Sequence, residues 1–275
     1  MITLIYPDTN IWNKLLDQNV DPQKLLSSLA AKNASLLLSG QTIYELSRTF
    51  ASSSLTAAAR AQQLFLYLKD YVDAEIPCAH DNMEQLCGEV KALNTGADQV
   101  VAFFGPAEYA SLRAEVEKLS RGSCDARAEQ FITGRQRFSA STRSAQKDHF
   151  QGKSTLREHL KNVPEAELRG WLDAEMLSDR GSAILAGHLL RAYTGLSPQL
   201  AMQNAHALLH IAQSRISKAI VRADLYYNWR CANRGSNRKD LVDDLYHVLN
   251  ASYSCIYVTA EPGQAEYASL ILSQW

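Results

Sequence analysis

The run Ile2-Thr3-Leu4-Ile5-Tyr6-Pro7, followed at once by Asp8-Thr9-Asn10, decides the fold class of this chain. The apolar run predicts a buried first strand, and the three polar residues after it are types that cap a helix N-terminus well. A second apolar run, Leu36-Leu37-Leu38, precedes a helical pattern, and a third, Cys255–Thr259, lies near the C-terminus. Strands that alternate with helices from the first residues predict an α/β fold with a parallel sheet.

The middle of the chain has a different pattern. Strand signals are scarce there and helical patterns dominate, one of them reaching without a break from Pro198 to Ala232. We therefore predict an α/β core from residues 1–80 and 233–275, with an extended helical insertion over 81–232. Within the insertion, the polar and basic segment 133–155 predicts a mobile loop that a ligand orders.

The composition argues against several classes of protein. Of the 275 residues, 46% are hydrophobic, which suits a globular chain, and no long uncharged apolar run predicts a membrane span. Asp8 interrupts the first apolar run and no basic segment precedes it, so we do not expect a signal peptide. Five scattered cysteines without a Cys-x-x-Cys pair argue against a disulfide framework or a zinc site and favour the cytoplasm.

Positive charge is concentrated in two stretches, although the formal net charge is −1. Residues 134–161 carry seven Lys or Arg against two acids, and residues 222–239 carry five against one. Such stretches fit a surface that meets phosphates, and they fit a solvated helix face or loop equally well. The cations that we take as candidate substrate contacts are Arg135, Arg137, Arg143, Arg234, Arg238 and Lys239.

Four acids follow the predicted strands or lie on the helices next to them. Asp8 ends the first strand, Glu45 lies just beyond the second, and Glu261 follows the third. Asp244 lies on a helical stretch near the C-terminus. The carboxyl ends of parallel strands meet along one crevice, where ligands bind, and gathered carboxylates repel one another unless a cation lies between them. Oxygen donors of this kind predict Mg²⁺ or Mn²⁺.

Each of these features also has a plain structural interpretation. Asp8 is a good helix cap, and the other acids are ordinary surface or turn residues. Asp240, Asp244 and His247 are spaced so that they share one helix face, which is common on solvated helices too. His206 and His210 are surrounded by Ala, Leu and Ile, and we interpret them as packing residues.

Taken in order along the chain, the acidic segments resemble the PIN-domain nucleases. The matching segments are Pro7-Asp8-Thr9-Asn10-Ile11, Gln41–Leu46, Asp240–His247 and Tyr257–Glu261. The resemblance covers roughly residues 1–55 and 235–275 and leaves the insertion unassigned. It implies a central parallel sheet of the PIN-like, Rossmann-like three-layer type. The family often has Asp where this chain has Glu261, whose side chain is one methylene longer.

The resemblance also implies an activity and a set of roles. The activity is that of an Mg²⁺- or Mn²⁺-dependent endoribonuclease that leaves 5′-phosphate and 3′-hydroxyl ends. The implied catalytic carboxylates, which are also metal ligands, are Asp8, Glu45, Asp244 and Glu261, with Asp240 as a further metal ligand. The side chains implied to hydrogen-bond the carboxylates or the attacking water are Thr9, Asn10 and Thr259. His247 is interpreted as a structural residue of its helix and not as the general base.

RNA, single-stranded or structured, is the expected partner. A toxin or defence role would add an inhibitory antitoxin-like protein, and no membrane partner is expected. Three alternatives stay open: a catalytically silent nucleic-acid or protein-binding module, a DNA-directed nuclease, and a metal-dependent phosphatase of a small molecule. The number of ions and the oligomeric state also stay open.

Overall fold

A computed structural model describes residues 2–51, 55–97, 100–122, 160–234 and 241–272 of the chain. Most of these residues are helical, and they include a small parallel sheet of three strands, which is compatible with the predicted α/β class. The chain divides into two compact units. The first unit comprises Met1–Asp81, Phe103–Ala140 and Tyr253–Ala265, and the second comprises Asn82–Ala102, Ser141–Ser252 and Glu266–Trp275.

Helices and strands alternate at both ends of the described chain, with helices between. In chain order they are β1 Thr3–Pro7, α1 Thr9–Asp17, α2 Pro22–Ala31, β2 Ala34–Leu36, β3 Leu38–Ser39, α3 Gly40–Arg48, α4 Leu55–Asp73, β4 Cys78–Ala79, α5 Asn82–Thr95, α6 Pro106–Ser120, α7 Leu168–Met176, α8 Asp179–Ala192, α9 Pro198–His210, α10 Arg215–Arg234, α11 Leu241–Asn250, β5 Ile256–Val258 and α12 Pro262–Ile271.

The sheet of the first unit has β1 at its centre. On one side β1 pairs in parallel with β2, and on the other it pairs in parallel with β5, with Ile5 opposite Ile256 and Pro7 opposite Val258. Leu37 joins β2 to β3, which forms a separate two-stranded parallel sheet with β4. The N–H of Leu37 donates to Ile5 O at 2.8 Å. Because β2, β1 and β5 are parallel, their carboxyl ends lie at one edge of the three-stranded sheet.

One apolar core holds the first helix against this sheet. Trp12 of α1 is 1% exposed and belongs to the same buried cluster as Phe65 of α4 and Val116 of α6. The Trp12 ring meets Tyr71 edge-on, with the ring centres 5.1 Å apart. The N-terminus of α1, which carries the residues of interest, is therefore fixed by the burial of a large aromatic side chain one turn further on.

The long helix that the sequence predicts in the second unit is two helices, and a buried carboxylate binds the first turn of the second one. Glu89 of α5 is 1% exposed and accepts hydrogen bonds from the backbone N–H groups of Ile216 (2.8 Å) and Ser217 (3.0 Å). These are donors of the first turn of α10, which has no helical partner for them. The prediction of a continuous helix from Pro198 to Ala232 is therefore wrong: α9 ends at His210 and α10 begins at Arg215.

The compact units do not coincide with the predicted core and insertion. Helix α6 packs on α4 in the first unit, and α11 belongs to the second. The predicted loop over 133–155 lies outside the described residues. Within the described ranges, no helix is long and apolar enough to cross a membrane.

Candidate active site

Asp8 is a buried carboxylate at the carboxyl end of β1. Its backbone N–H donates to Val258 O at 2.9 Å, which continues the pairing of β1 with β5 by one residue. Its side chain is the N-cap of α1, because Oδ1 accepts from the N–H of Ile11 at 2.9 Å. Asp8 is only 1% exposed. The positive end of the helix dipole favours the ionised form of a carboxylate in this position.

The hydroxyl of Thr259 holds the other oxygen of Asp8. Thr259 Oγ1 lies 2.5 Å from Asp8 Oδ2 and 2.5 Å from the side-chain amide oxygen of Gln264, and it accepts from the N–H of Glu261 at 3.1 Å. A hydroxyl has one proton, so it donates to the carboxylate, which can only accept. We therefore assign the buried Gln264 amide with its NH₂ group turned towards Thr259.

Glu45 lies on α3, whose first turn is fixed to the sheet. Ser39 caps this helix by accepting from the N–H of Thr42, and the buried Tyr6 hydroxyl lies 2.7 Å from Ser39 Oγ. Burial raises the pKa of Tyr6 above its ordinary value, and the Glu45 charge adds to this effect. Tyr6 consequently stays protonated and able to donate.

Both oxygens of the Glu45 side chain accept hydrogen bonds from neighbouring side chains. The Thr9 hydroxyl donates to Oε2 at 2.6 Å, and the Gln41 amide donates to Oε1 at 3.1 Å. Glu45 itself is half-buried. Its orientation is therefore set by one residue of α1 and one of its own helix.

Three consecutive residues at the start of α1 contact two other segments of the first unit, helix α3 and the segment that follows β5. Asp8 contacts Thr259, Thr9 contacts Glu45, and Asn10 donates from its amide to Glu261 Oε1 at 2.7 Å. Both Asn10 and Glu261 are exposed. The first unit thus gathers three of the four predicted acids around one tripeptide, and each predicted polar neighbour contacts one of these acids.

No family model matches the chain, and neither the curated proteins nor the solved structures give a match. The chemistry of the site therefore has to follow from its own residues.

Asp244 belongs to the second unit. It is half-buried on α11, one turn before His247, which is 2% exposed. The leucines that the helical pattern places on the core face of α11 are buried, namely Leu241, Leu245 and Leu249.

Most of the predicted substrate contacts lie outside the described residues: Arg135, Arg137, Arg143, Arg238 and Lys239. The predicted metal ligand Asp240 lies outside them too.

Arg234, the remaining candidate cation, is half-exposed and contacts two side chains of the second unit. It forms an ion pair with Glu165, and its guanidinium lies 5.8 Å from the centre of the Trp229 ring. This pairing lowers the pKa of Glu165. Arg222, at the start of the same basic stretch, is fully buried in an ion pair with Asp173. The positive charge of residues 222–239 is therefore partly neutralised inside the second unit.

The donor atoms of the site suit a hard cation, but their arrangement falls short of a complete site. Carboxylate and hydroxyl oxygens are the ligands that Mg²⁺ and Mn²⁺ prefer. In the described part of the chain, however, no three His, Cys, Asp or Glu side chains lie together in a group that could hold a metal ion. The site residues thus fit Mg²⁺ or Mn²⁺ by chemistry, whereas a full ligand set needs further oxygen donors.

Sequence reasoning missed Gln41 and Gln264. Gln264 is the third residue of α12, and Glu261 precedes that helix at its cap, a spacing typical of the capping box. Gln41 lies four residues before Glu45, the spacing at which helical side chains meet. The spacing of Gln41 pointed to Glu45 as its partner, whereas the capping-box spacing pointed Gln264 to the N–H of Glu261, which donates to Thr259 instead.

Proposed function

We propose that the chain is an Mg²⁺- or Mn²⁺-dependent endoribonuclease of the PIN-like type, cutting phosphodiesters to 5′-phosphate and 3′-hydroxyl ends. The observation that carries this proposal is the buried Asp8 at the carboxyl end of the central strand, held by Thr259 and adjacent to the Glu45 and Glu261 contacts. A buried carboxylate oriented by hydroxyl and amide donors is typical of metal-binding acids. The order of the acids along the sequence adds the resemblance to the family.

In this proposal the described residues bind the metal ion and orient its carboxylate ligands. Asp8 and Glu45 bind the cation, and their oxygens are held in place by the hydroxyls of Thr259 and Thr9. When bound, the ion neutralises phosphate charge and lowers the pKa of a coordinated water. The exposed Asn10 amide and Glu261 carboxylate border the place where the phosphodiester enters. The resemblance to the family further assigns Asp244 and Asp240 as metal ligands and the basic residues of the insertion as RNA contacts.

A charge-removing substitution with a matched control tests this function. Asp8→Asn removes the negative charge and keeps a good helix cap. Asp21→Asn is the control, because Asp21 caps α2 in the same way, accepting from the N–H groups of Gln23 and Lys24, but it is exposed. Both variants and the parent chain are incubated with a panel of single-stranded RNA and DNA in Mg²⁺, Mn²⁺ or EDTA.

The proposal expects metal-dependent cleavage of RNA by the parent chain and by Asp21→Asn. Asp8→Asn should lose at least about a hundredfold in rate, since a metal contributes several kcal/mol of transition-state stabilisation. Cleavage of the DNA strands alone would replace RNA by DNA as the substrate. Cleavage that persists in EDTA, or that Asp8→Asn retains, would overturn the assignment of the site.

A catalytically silent binding module is the second candidate. The observation in its favour is the missing group of three metal-binding side chains in the described ranges. Such a module would bind RNA in a salt-sensitive manner without cutting it, and Asp8→Asn would leave that binding unchanged. Measuring RNA affinity at two salt concentrations alongside the cleavage panel separates the two candidates.

A further inference from the structure

Two histidines lie one helical turn apart on the solvent side of α9 in the second unit. His206 and His210 are both exposed, although their apolar sequence neighbours led us to interpret them as packing residues. That interpretation is wrong, because the apolar neighbours Ala205, Leu208 and Leu209 face the core and leave the histidines on the opposite side. Residues spaced by four on a helix project from the same face.

The two imidazole rings are close together, and one of them has a fixed tautomer. Their ring centres are 4.4 Å apart, with planes inclined by 38°. His210 Nδ1 lies 2.8 Å from the backbone oxygen of His206. A carbonyl oxygen only accepts, so Nδ1 donates, and the neutral ring keeps its lone pair on Nε2. A backbone carbonyl bound to one ring nitrogen commonly orients a metal-binding histidine.

The spacing of the rings suits a shared metal ion. Imidazole nitrogens bind such ions at about 2.0–2.1 Å, which puts each ring centre about 3 Å from the ion. Two rings on one ion at an angle near 90–110° then have centres roughly 4–5 Å apart. The 4.4 Å separation of His206 and His210 falls within this interval.

The electrostatic position is favourable too. His210 lies in the last turn of α9, where the unsatisfied backbone carbonyls carry partial negative charge. A cation bound near these carbonyls gains from the helix dipole, whereas it would be repelled at the opposite end.

We propose that His206 and His210 together bind one imidazole-preferring divalent ion of the first transition row, with Cu²⁺ bound most tightly and Ni²⁺ or Zn²⁺ more weakly. Among the described residues, no His, Cys, Asp or Glu joins the pair to make a group of three, so water completes the coordination. This site differs in chemistry from the carboxylates around Asp8, since oxygen ligands suit Mg²⁺ and Mn²⁺ and imidazoles suit Cu²⁺, Ni²⁺ and Zn²⁺.

Calorimetric titration of the full chain, prepared without an affinity tag, tests the site. CuCl₂ and ZnCl₂ are titrated separately in buffer that contains millimolar Mg²⁺, so that oxygen-rich sites are already occupied. The variants are His206→Gln, His210→Gln and the double substitution. Gln203→Ala, which changes an exposed side chain on the same helix, is the control. Circular dichroism confirms that each variant keeps its helices.

If the two histidines share one ion, the losses of Cu²⁺ affinity in the single variants should be strongly non-additive. Either single substitution should weaken Cu²⁺ binding at least tenfold, and the double variant should lose little more, because one remaining histidine no longer chelates. The parent chain and Gln203→Ala should bind one ion per chain and gain thermal stability with Cu²⁺, since a ligand of the folded state stabilises it. Parent-like affinity in His206→Gln or His210→Gln would overturn the proposal, as would a parent chain that binds no tighter than the double variant.

Discussion

The Thr259 hydroxyl lies 2.5 Å from the Asp8 carboxylate, although 251 residues separate the two in the sequence. Parallel pairing of β1 with β5 produces this contact, because it aligns Pro7 with Val258 and so brings the next residue of each strand side by side. The N-cap of the first helix is thereby tied to the last strand. The geometry of the candidate site depends on this register.

Replacing Thr259 tests that dependence. Thr259→Val keeps the shape and removes the donor, so the buried Asp8 loses the hydrogen bond from this hydroxyl. We expect the free energy of unfolding to fall by about 1–3 kcal/mol, measured by urea denaturation. If the proposed nuclease activity is present, it should fall about ten- to a hundredfold, as for other groups that orient metal ligands. Thr259→Ser keeps the hydroxyl and should recover most of both losses; a parent-like Thr259→Val beside a destabilised Thr259→Ser would show that packing of the methyl group matters and the hydrogen bond does not.

The orientation assigned to the Gln264 amide leads to a second prediction. Gln264→Glu replaces a donor by a second carboxylate, and Thr259 has only one proton for both acids. The variant should lose about 1–3 kcal/mol of stability at pH 7. Protonation of the new carboxyl restores a donor, so the deficit relative to the parent chain should shrink as the pH falls towards 4. Unfolding at pH 7 and at pH 4.5 measures both effects, and a deficit that is unchanged or larger at the lower pH would contradict the assigned orientation.

Local sequence signals predicted the start of the site well. Asp8 after an apolar run indicated a strand followed by a capped helix, and the structure has both. The same signals failed where the deciding partner is remote. The end of α9 and the start of α10 depend on Glu89, which lies 127 residues before Ile216, and no local pattern between them indicates its position.

Burial decided other outcomes that charge patterns could not. Arg222 belongs to a basic stretch, but it lies inside the second unit against Asp173, because α10 turns that side of the helix towards α7. His206 and His210 differ from their prediction in the opposite direction. Their apolar neighbours predicted burial, but both side chains are exposed. A count of charges or apolar residues in a window gives composition, whereas burial depends on which face of the helix meets the core.

His188 should make the second unit sensitive to mild acid. Burial lowers the pKa of His188 to about 4, and the charge of Arg191 adds to this effect. The unfolded chain, with a histidine pKa near 6.5, therefore binds more protons between pH 6.5 and 4. The stability linked to His188 is fully present above pH 6.5 and is lost as the pH falls towards 4.

Replacing His188 isolates its contribution to the pH dependence of the unfolding free energy. His188→Gln should flatten the fall of the unfolding free energy between pH 6.5 and 4, where one such group contributes at most about 1.4 kcal/mol per pH unit. Gln203→Ala, which changes an exposed side chain without a titrating group on the neighbouring helix, is the control and should leave the slope unchanged. Unfolding curves at several pH values in this window give the slope directly. A slope in His188→Gln as steep as in the parent chain would rule out His188 as the cause.

Two glycines of α8 should respond in opposite directions to the same substitution. A Cβ on Gly181 would lie 2.1 Å from the backbone oxygen of Met176 and 2.8 Å from that of Glu175. A Cβ on Gly187 would meet nothing within 4 Å. Gly181 thus allows the end of α7 to approach the start of α8 closely, while Gly187 only adds flexibility to the helix.

We expect Gly181→Ala to lower the free energy of unfolding by at least about 2 kcal/mol, because backbone atoms have to move to remove the overlap. Gly187→Ala should raise it by about 0.5–1 kcal/mol, since alanine loses less conformational entropy in a helix. Urea denaturation of the two variants, compared by midpoint and slope, measures both changes. If both alanines stabilised the chain, α7 and α8 would have to lie further apart than the close approach at Met176 indicates, because only a wider separation leaves room for the added methyl group at Gly181.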